Sequence, residues 1–409
     1  MTEEGTPSEA ASRPAGVTPR VLYVLPDLGV GGGQTILLRT AQAASAIAGT
    51  HVVAALRDGP MRVPFEAAGL ETVVLGGPSP TALPGAVWRL VRLVRSRRID
   101  VIVSFNTPTD RTAAQLAGLL TGVPVVIWFM SVAIALIPFP PPPSRIPAFV
   151  KRLVLFGPNY LTVRRAAALS SLSDSVTRSF AAHLRLPTDR FALVPPGLPA
   201  SFYEAPLDDA GLEALRSGLG LSPGDGPVLL TVGMLIDLKG QQELVPAMAE
   251  VVRSLPGATL LLVGDGPNRA RLEAMVAELG LGERVRLLGH RQDVPALLQL
   301  ADGLVSASRS EGFGMAVLEA MAASKPVVAV HTPAFDEFAR DGVSAHFVAA
   351  QDRRLLAQGI VEVFADPARA GAMGTEARAA AESFRAERTA ALLLDVLGGI
   401  VDGEDGKGR

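Results

Sequence analysis

The stretch Arg20-Val-Leu-Tyr-Val-Leu-Pro26, with the glycine turn 29–33 and the helical pattern from Gln34 to about Ala46 that follow it, decides how the chain is read. A short apolar run of this length is a strand. A glycine-rich turn that opens straight into a helix makes strand, loop and helix the beginning of a Rossmann-like unit. More strand-like runs follow at 51–56, 72–75, 101–105, 123–129 and 168–172, with helical stretches between them. That alternation predicts a parallel sheet joined by crossover helices.

The Pro/Gly cluster in Phe191-Ala-Leu-Val-Pro-Pro-Gly-Leu-Pro199 ends the first series, and the polar segment to about Gly226 reads as an interdomain hinge. The alternation then restarts with strands at 228–232, 259–263, 285–288, 303–306 and 327–330. Helices are expected from about Gln241, from Arg269 and from about Met315. The expected fold class is therefore α/β, with two Rossmann-like domains facing each other across a cleft. A disordered tail covers 1–18, the first domain 19–198 and the second 199–379. A helix at about 380–400 is expected to pack back on the first domain. No short repeat is visible, so the duplication is one of pattern only.

A chain of 409 residues suits two such domains, and 48% hydrophobic against 19% charged residues gives each a core. The absence of cysteine excludes disulfides, zinc–thiolate and iron–sulfur sites and a cysteine nucleophile. The five histidines show no metal-ligand spacing, so no metal and no other cofactor is expected. The polar N-terminus lacks the apolar core of a signal peptide, which points to a cytoplasmic protein.

Charge divides unevenly: residues 1–200 carry 19 Lys/Arg against 11 Asp/Glu, and residues 201–409 carry 19 against 29. The two halves are expected to meet different partners. Residues 112–144 carry no acidic or basic side chain beyond the helix start, and 125–137 is almost unbroken apolar sequence between Pro124 and Pro138. Thirteen residues are too few to cross a bilayer core of ~30 Å as a helix. Arg145, Lys151, Arg152, Arg164 and Arg165 follow among apolar residues. This segment is either a buried strand with an acceptor-side loop or a surface that lies on anionic membrane, which would make the protein peripheral on the inner face.

The densest chemical signal is Ser308-Arg-Ser-Glu311-Gly-Phe-Gly-Met-Ala-Val-Leu-Glu319. Glycines let the backbone approach a ligand closely, and the N–H groups of a helix start suit a diphosphate. Glu311 can accept hydrogen bonds from sugar hydroxyls, and Glu319, two turns into the helix, can reach a ribose diol. Without the turn between them, two glutamates at this spacing are common helix decoration. A second cluster, Thr231-Val-Gly233-Met-Leu-Ile-Asp-Leu-Lys239-Gly240, lies at a strand end, where open α/β sheets bind ligands. Its lysine can neutralise a leaving diphosphate or be an ordinary surface lysine. The third piece, Leu262-Val-Gly264-Asp-Gly266-Pro267, is a strand-end glycine turn that many α/β proteins contain.

Taken together, in this order and spacing, these motifs resemble glycosyltransferase family four, which has the GT-B fold and retains anomeric configuration. The resemblance runs from about Arg20 to Ala350 and is strongest between Val232 and Val330. It implies that Glu311 holds hydroxyls of a donor hexose, with the backbone of Gly312, Phe313, Gly314 and Met315 over the sugar and diphosphate. Glu319 would hold the ribose and Lys239 the diphosphate. The turns at Gly233, Gly264 and Gly266 would border the donor, and Gly31, Gly32 and Gly33 would approach its phosphates from the first domain. Nucleobase contacts would come from the backbone near His290 and Arg291. Glu311 and Lys239 would be the catalytic pair, with a nucleotide-sugar as donor substrate and no metal. The acceptor, on the first domain, would be lipid-linked or anionic, a glycan or a natural product, and no nucleic acid partner is expected.

The sequence departs from the family pattern at two places. Met234 stands where an arginine usually shares the diphosphate with the lysine, and Met130 where a histidine often stands near the reacting sugar. Arg309 or a basic group of the first domain is expected to compensate for Met234. The competing reading is a catalytically impaired sugar-nucleotide-binding partner protein of the same fold. An NAD dehydrogenase is disfavoured, because no G-x-G-x-x-G with an acidic residue ~20 positions later follows the first strand.

Overall fold

The computed structural model describes residues 18–402 apart from 48, 77–82, 106, 132–161, 223 and 225. The expected N-terminal tail and most of the apolar and basic segment after Phe129 lie outside these residues. In the first half, strands β1 (Val21–Leu25), β2 (His51–Ala55), β3 (Glu71–Val74), β4 (Val101–Ser104), β5 (Val125–Phe129), β6 (Ala168–Ser171) and β7 (Phe191–Leu193) form one sheet. Helices α1 (Gly32–Ile47), α2 (Arg62–Ala67), α3 (Leu83–Arg97), α4 (Pro108–Thr121) and α5 (Asp174–Leu184) cross between them. All the pairings are parallel, in the order β3-β2-β1-β4-β5-β6-β7. Every residue of β1, β2, β4 and β5 is buried, as helices on both faces of a parallel sheet require.

The second half contains α6 (Asp209–Gly218), β8 (Val228–Val232), α7 (Gln241–Ser254), β9 (Thr259–Val263), α8 (Arg269–Glu278), β10 (Val285–Gly289) and α9 (Val294–Leu300). It continues with β11 (Gly303–Ser306), α10 (Met315–Ala322), β12 (Val327–Val330), β13 (His346–Val348), α11 (Arg353–Phe364), α12 (Pro367–Ala381) and α13 (Ala386–Val401). Its parallel sheet has the order β10-β9-β8-β11-β12-β13. In both sheets the strand order reverses beside the first strand, between β1 and β4 and between β8 and β11. A crevice opens at such a switch point, outside the carboxyl ends of the strands, and ligands bind there. The fold is GT-B.

Three local elements go beyond the sequence pattern. The stretch that ends the first series opens with one more strand, because Phe191–Leu193 pairs with β6 as the edge of the first sheet just before the Pro/Gly cluster. Three residues in front of Pro195 are too few to give a periodicity. The polar segment read as a hinge contains α6, started by Asp208, whose carboxylate accepts from the Gly211 N–H at 2.8 Å. Helix α1 begins at Gly32 rather than Gln34, so two of the turn glycines form its first turn.

The chain crosses between halves twice, and the two crossings touch. Leu198 N–H donates to Phe384 O at 2.8 Å, and Ala386 N–H to Leu198 O at 2.9 Å. A Cβ on Gly197 would stand 2.5 Å from Ala386 Cα, so only glycine fits there. Past this crossing α13 packs along α1 and buries Leu393 and Leu397. One apolar core continues from β1 and α1 into β8, β11 and α10.

Candidate donor site between the two halves

The site grows from the ends of β8 and β11. Beyond β8 a tight turn, Asp237–Lys239, carries Lys239 back over Gly233, and its ammonium meets Glu311 just beyond β11. The Nζ–Oε1 distance is 2.6 Å, with the two side chains 24% and 15% exposed. Sequence positions 72 apart are thus brought into one partly buried ion pair at the strand ends. The close approach is built by glycines: Gly264, at φ +132°, would place a Cβ 2.0 Å from Gly233 O. Gly264 and Gly266 therefore have a packing reason to be glycine, as supports of the loop that carries Lys239.

After Glu311 the chain turns through Gly312 and Gly314 into α10. Gly314 caps the helix at φ +101°, and a Cβ there would be 2.3 Å from the Phe335 ring. Phe313 points inward, 3% exposed, stacked on Phe338 at 4.9 Å and edge-on to Phe384 at 5.5 Å. Its side chain belongs to the core, so only the backbone of the turn faces the cleft. Glu319 lies one turn into α10, not two, because the helix starts at Met315. Its carboxylate stays on the same side as the helix N-terminus, where free N–H groups and the helix dipole favour an anion.

The first half closes over this turn. Ser173 Oγ donates to Gly312 O at 2.8 Å, and a Cβ on Gly312 would come within 3.0 Å of Met130 O. Met130 Sδ in turn lies 3.5 Å from the Cβ position of Gly33. Met130 thus stands between the glycine turn of the first half and the Gly312 turn of the second. Gln34 holds the Gly31 turn through Asp27 at 3.1 Å, which also accepts the Gly29 N–H at 3.0 Å. Glu337, next to the Gly314 support, accepts the N–H groups of Asp174 and Ser175 at 3.0 and 3.1 Å. Burial raises its pKa, and these two donors at the start of α5 work against the rise.

His290 and Arg291 follow β10, with His290 exposed. Arg291 is held by both oxygens of Asp293, at 2.8 and 2.6 Å. Arg309, one of the two groups expected to compensate for Met234, has other partners in this structure. Its guanidinium is bonded to Gln351 and pairs with Glu243 at 3.9 Å, while Met234 is 49% exposed. Sequence reasoning also missed Arg39 on α1, whose Nη1 lies 2.7 Å from Glu319 Oε1. The available signal was that Arg39 is the sole charge in the sixteen residues of that helix. Among the described residues no group of three or more His, Asp or Glu side chains is placed to hold a metal ion. Nor is any helix among them long and apolar enough to cross a membrane.

Two facing Rossmann-like halves, with paired charges and helix N-termini at the strand ends between them, define the class: a GT-B protein of the glycosyltransferase type. Residues 31–197 match the family model described as glycosyl transferase 4-like domain, and residues 220–380 that of glycosyl transferases group 1. The chain belongs to this family of glycosyltransferases. It is similar to the 2-deoxystreptamine glucosyltransferase of Streptomyces kanamyceticus, 36% identical over 41% of this chain and 43% of that protein. It is 32% identical to the GDP-mannose-dependent alpha-(1-6)-phosphatidylinositol monomannoside mannosyltransferase of Mycolicibacterium smegmatis, over 54% of this chain and 60% of the relative. The matches span about half the length of these curated relatives. Among solved structures, Anabaena Alr3699/HepE in complex with UDP-glucose superposes with a TM-score of 0.78 at 22% identity, covering 92% of this chain and all of that one. A glycosyltransferase from Rickettsia africae gives 0.78 at 18%, covering 96% and 100%.

Proposed function

We propose that the chain is a retaining, metal-independent glycosyltransferase that moves a hexose-type sugar from a nucleotide-sugar, of the UDP or GDP kind, to an acceptor held by the first half. The observation that carries this reading is the Lys239–Glu311 pair beside the start of α10. There a carboxylate can take sugar hydroxyls while an ammonium and free helix N–H groups take the diphosphate. Glu319 takes the ribose diol, the first turn of α1 at Gly32 and Gly33 approaches the phosphates, and the turn at His290 and Arg291 borders the base.

In the proposed step the acceptor oxygen bonds to the anomeric carbon on the face that the leaving diphosphate occupies, as the carbon–oxygen bond to phosphate breaks. The acceptor proton passes to the departing phosphate oxygen. Lys239 and the amides at the start of α10 offset the charge that develops on the leaving group. No protein nucleophile is needed.

The acceptor is proposed to be anionic or lipid-linked, met at the cytoplasmic face of a membrane. In support, α3 and α4 expose Trp88, Leu119 and Leu120 beside Arg92 and Arg95, and neither helix has an acidic residue after Asp110. Sedimentation with phosphatidylglycerol vesicles at low salt tests this, and no more binding than to phosphatidylcholine removes it. A second reading, a binding protein with impaired catalysis, is favoured by exposed Met234 and by the engagement of Arg309 elsewhere. A melting screen of nucleotide sugars followed by a hydrolysis assay decides. Stabilisation by one donor with slow nucleotide release is expected, and stabilisation without release selects the second reading.

A further inference from the structure

We propose that Arg39 is a positioning residue for the donor's ribose site, supplied by the half of the molecule opposite to the one that carries that site. This rests on the reading of Glu319 as the ribose acceptor. Arg39 lies in the second turn of α1, in a helix with no other charge, and its guanidinium pairs with Glu319 at 2.7 Å. The side chains are only 15% and 8% exposed. Its planar group also lies over the ring of Phe202, 4.7 Å from the centroid. Phe202 belongs to the connection between the halves and is itself buried against the core.

Three segments meet at this one guanidinium: the first helix of one half, the connection, and the helix of the other half that carries Glu319. A buried carboxylate with no cation is costly and free to turn. Arg39 takes Oε1 and so restricts how the carboxylate turns; Oε2 is then the oxygen assigned to a ribose hydroxyl in this proposal. A planar guanidinium stacked on an aromatic ring is also a rigid donor, which a flexible ammonium is not. The ribose site is therefore complete only when the halves are closed on each other as they are here, and ribose recognition reports that closure. Lys239 and Glu311 both belong to the second half and form their pair within it. The nucleoside end of the donor is thus tied to the interdomain geometry through Arg39.

The test uses the intact chain and measures the affinity of UDP and GDP, and of their 2′,3′-dideoxy analogues, for wild type, Arg39→Ala and Arg39→Lys. Melting temperatures verify that each variant is folded. Arg39→Ala should weaken the ribonucleotide that wild type prefers by roughly tenfold, the scale of a charge-assisted hydrogen bond. The dideoxy analogue, which already lacks what Glu319 binds, should lose about twofold or less. Arg39→Lys should recover part of the loss. In turnover, KM for the donor should rise more than kcat falls. Equal losses for both analogues, or no loss for either, overturn the positioning role while leaving the donor-site reading intact. If wild type binds neither nucleotide, or does not discriminate between ribo and dideoxy forms, the underlying reading of Glu319 fails and this proposal with it.

Discussion

Replacing Glu311 by glutamine separates what the carboxylate does for the fold from what it does for the reaction. Among the described residues its one side-chain partner is Lys239 at 2.6 Å, with the pair roughly one-fifth exposed. The amide carbonyl of glutamine can keep that bond, so an ion pair becomes an ion–dipole contact. The expected stability cost is about 1 kcal/mol, a melting shift of a few degrees for a domain of this size. The reaction depends on more. In the proposed role glutamine lowers the acceptor strength offered to the sugar hydroxyls, and it leaves Lys239 without its counter-charge. The loss of a single preorganised electrostatic group in an active site costs about 3–4 kcal/mol of barrier, or 10²–10³ in rate. The assay is initial-rate nucleotide release and transfer across a range of donor concentrations, with melting curves of both proteins. A turnover within about threefold of wild type and an unchanged melt would refute the argument. A collapse of the melt would show that Glu311 is there for the fold.

Lys239→Ala should weaken donor binding by roughly 10–100-fold and flatten its salt dependence, since a charge leaves the diphosphate site; unchanged titrations at two ionic strengths count against it. Met234→Arg, at an exposed position in the Lys239 loop, should tighten donor binding and raise turnover several-fold, and a neutral or harmful outcome in the same titration would show that the diphosphate does not pass that position. Gly314→Ala should cost more than about 2 kcal/mol in denaturant melts, because φ is +101° and the new methyl would strike the Phe335 ring; a mild effect would contradict the tight helix start. Asp110 is buried, and burial pushes its pKa up to about 6 despite bonds from Phe105 N–H and Thr107. Since the folded value lies above the unfolded one, its contribution is full below about pH 4 and is lost as pH rises through 6. Asp110→Asn should therefore flatten the fall in stability between pH 4 and 6.5 in melts across that range, and an unaltered slope would remove the assignment.

The fold was legible because parallel strands buried on both faces are continuous apolar runs, and β8, β9, β11 and β12 appear at the residues where the sequence pattern places them. What escaped were elements without a period: three-residue β7 next to two prolines, and α6 in a polar stretch. In the candidate site, Lys239 and Glu311 each belong to a local motif, yet their contact spans 72 positions and is visible only in three dimensions. Arg39 and Ser173 were invisible as site residues because each acts across the cleft on a residue far away in sequence, Glu319 and Gly312. Arg309 is the opposite case. It is adjacent in sequence to the site, but its side chain leaves the strand end toward Gln351 and Glu243.

The measurement that bears most directly on the donor site is a crystal structure with the nucleotide diphosphate and hexose that give the largest melting shift. Density is expected in the crevice between the halves, with ribose oxygens within hydrogen-bond reach of Glu319, phosphate oxygens beside Lys239 and the amides at the start of α10, and the hexose against Glu311. Well-ordered nucleotide bound anywhere else, with Lys239 and Glu311 still joined and untouched, would contradict it.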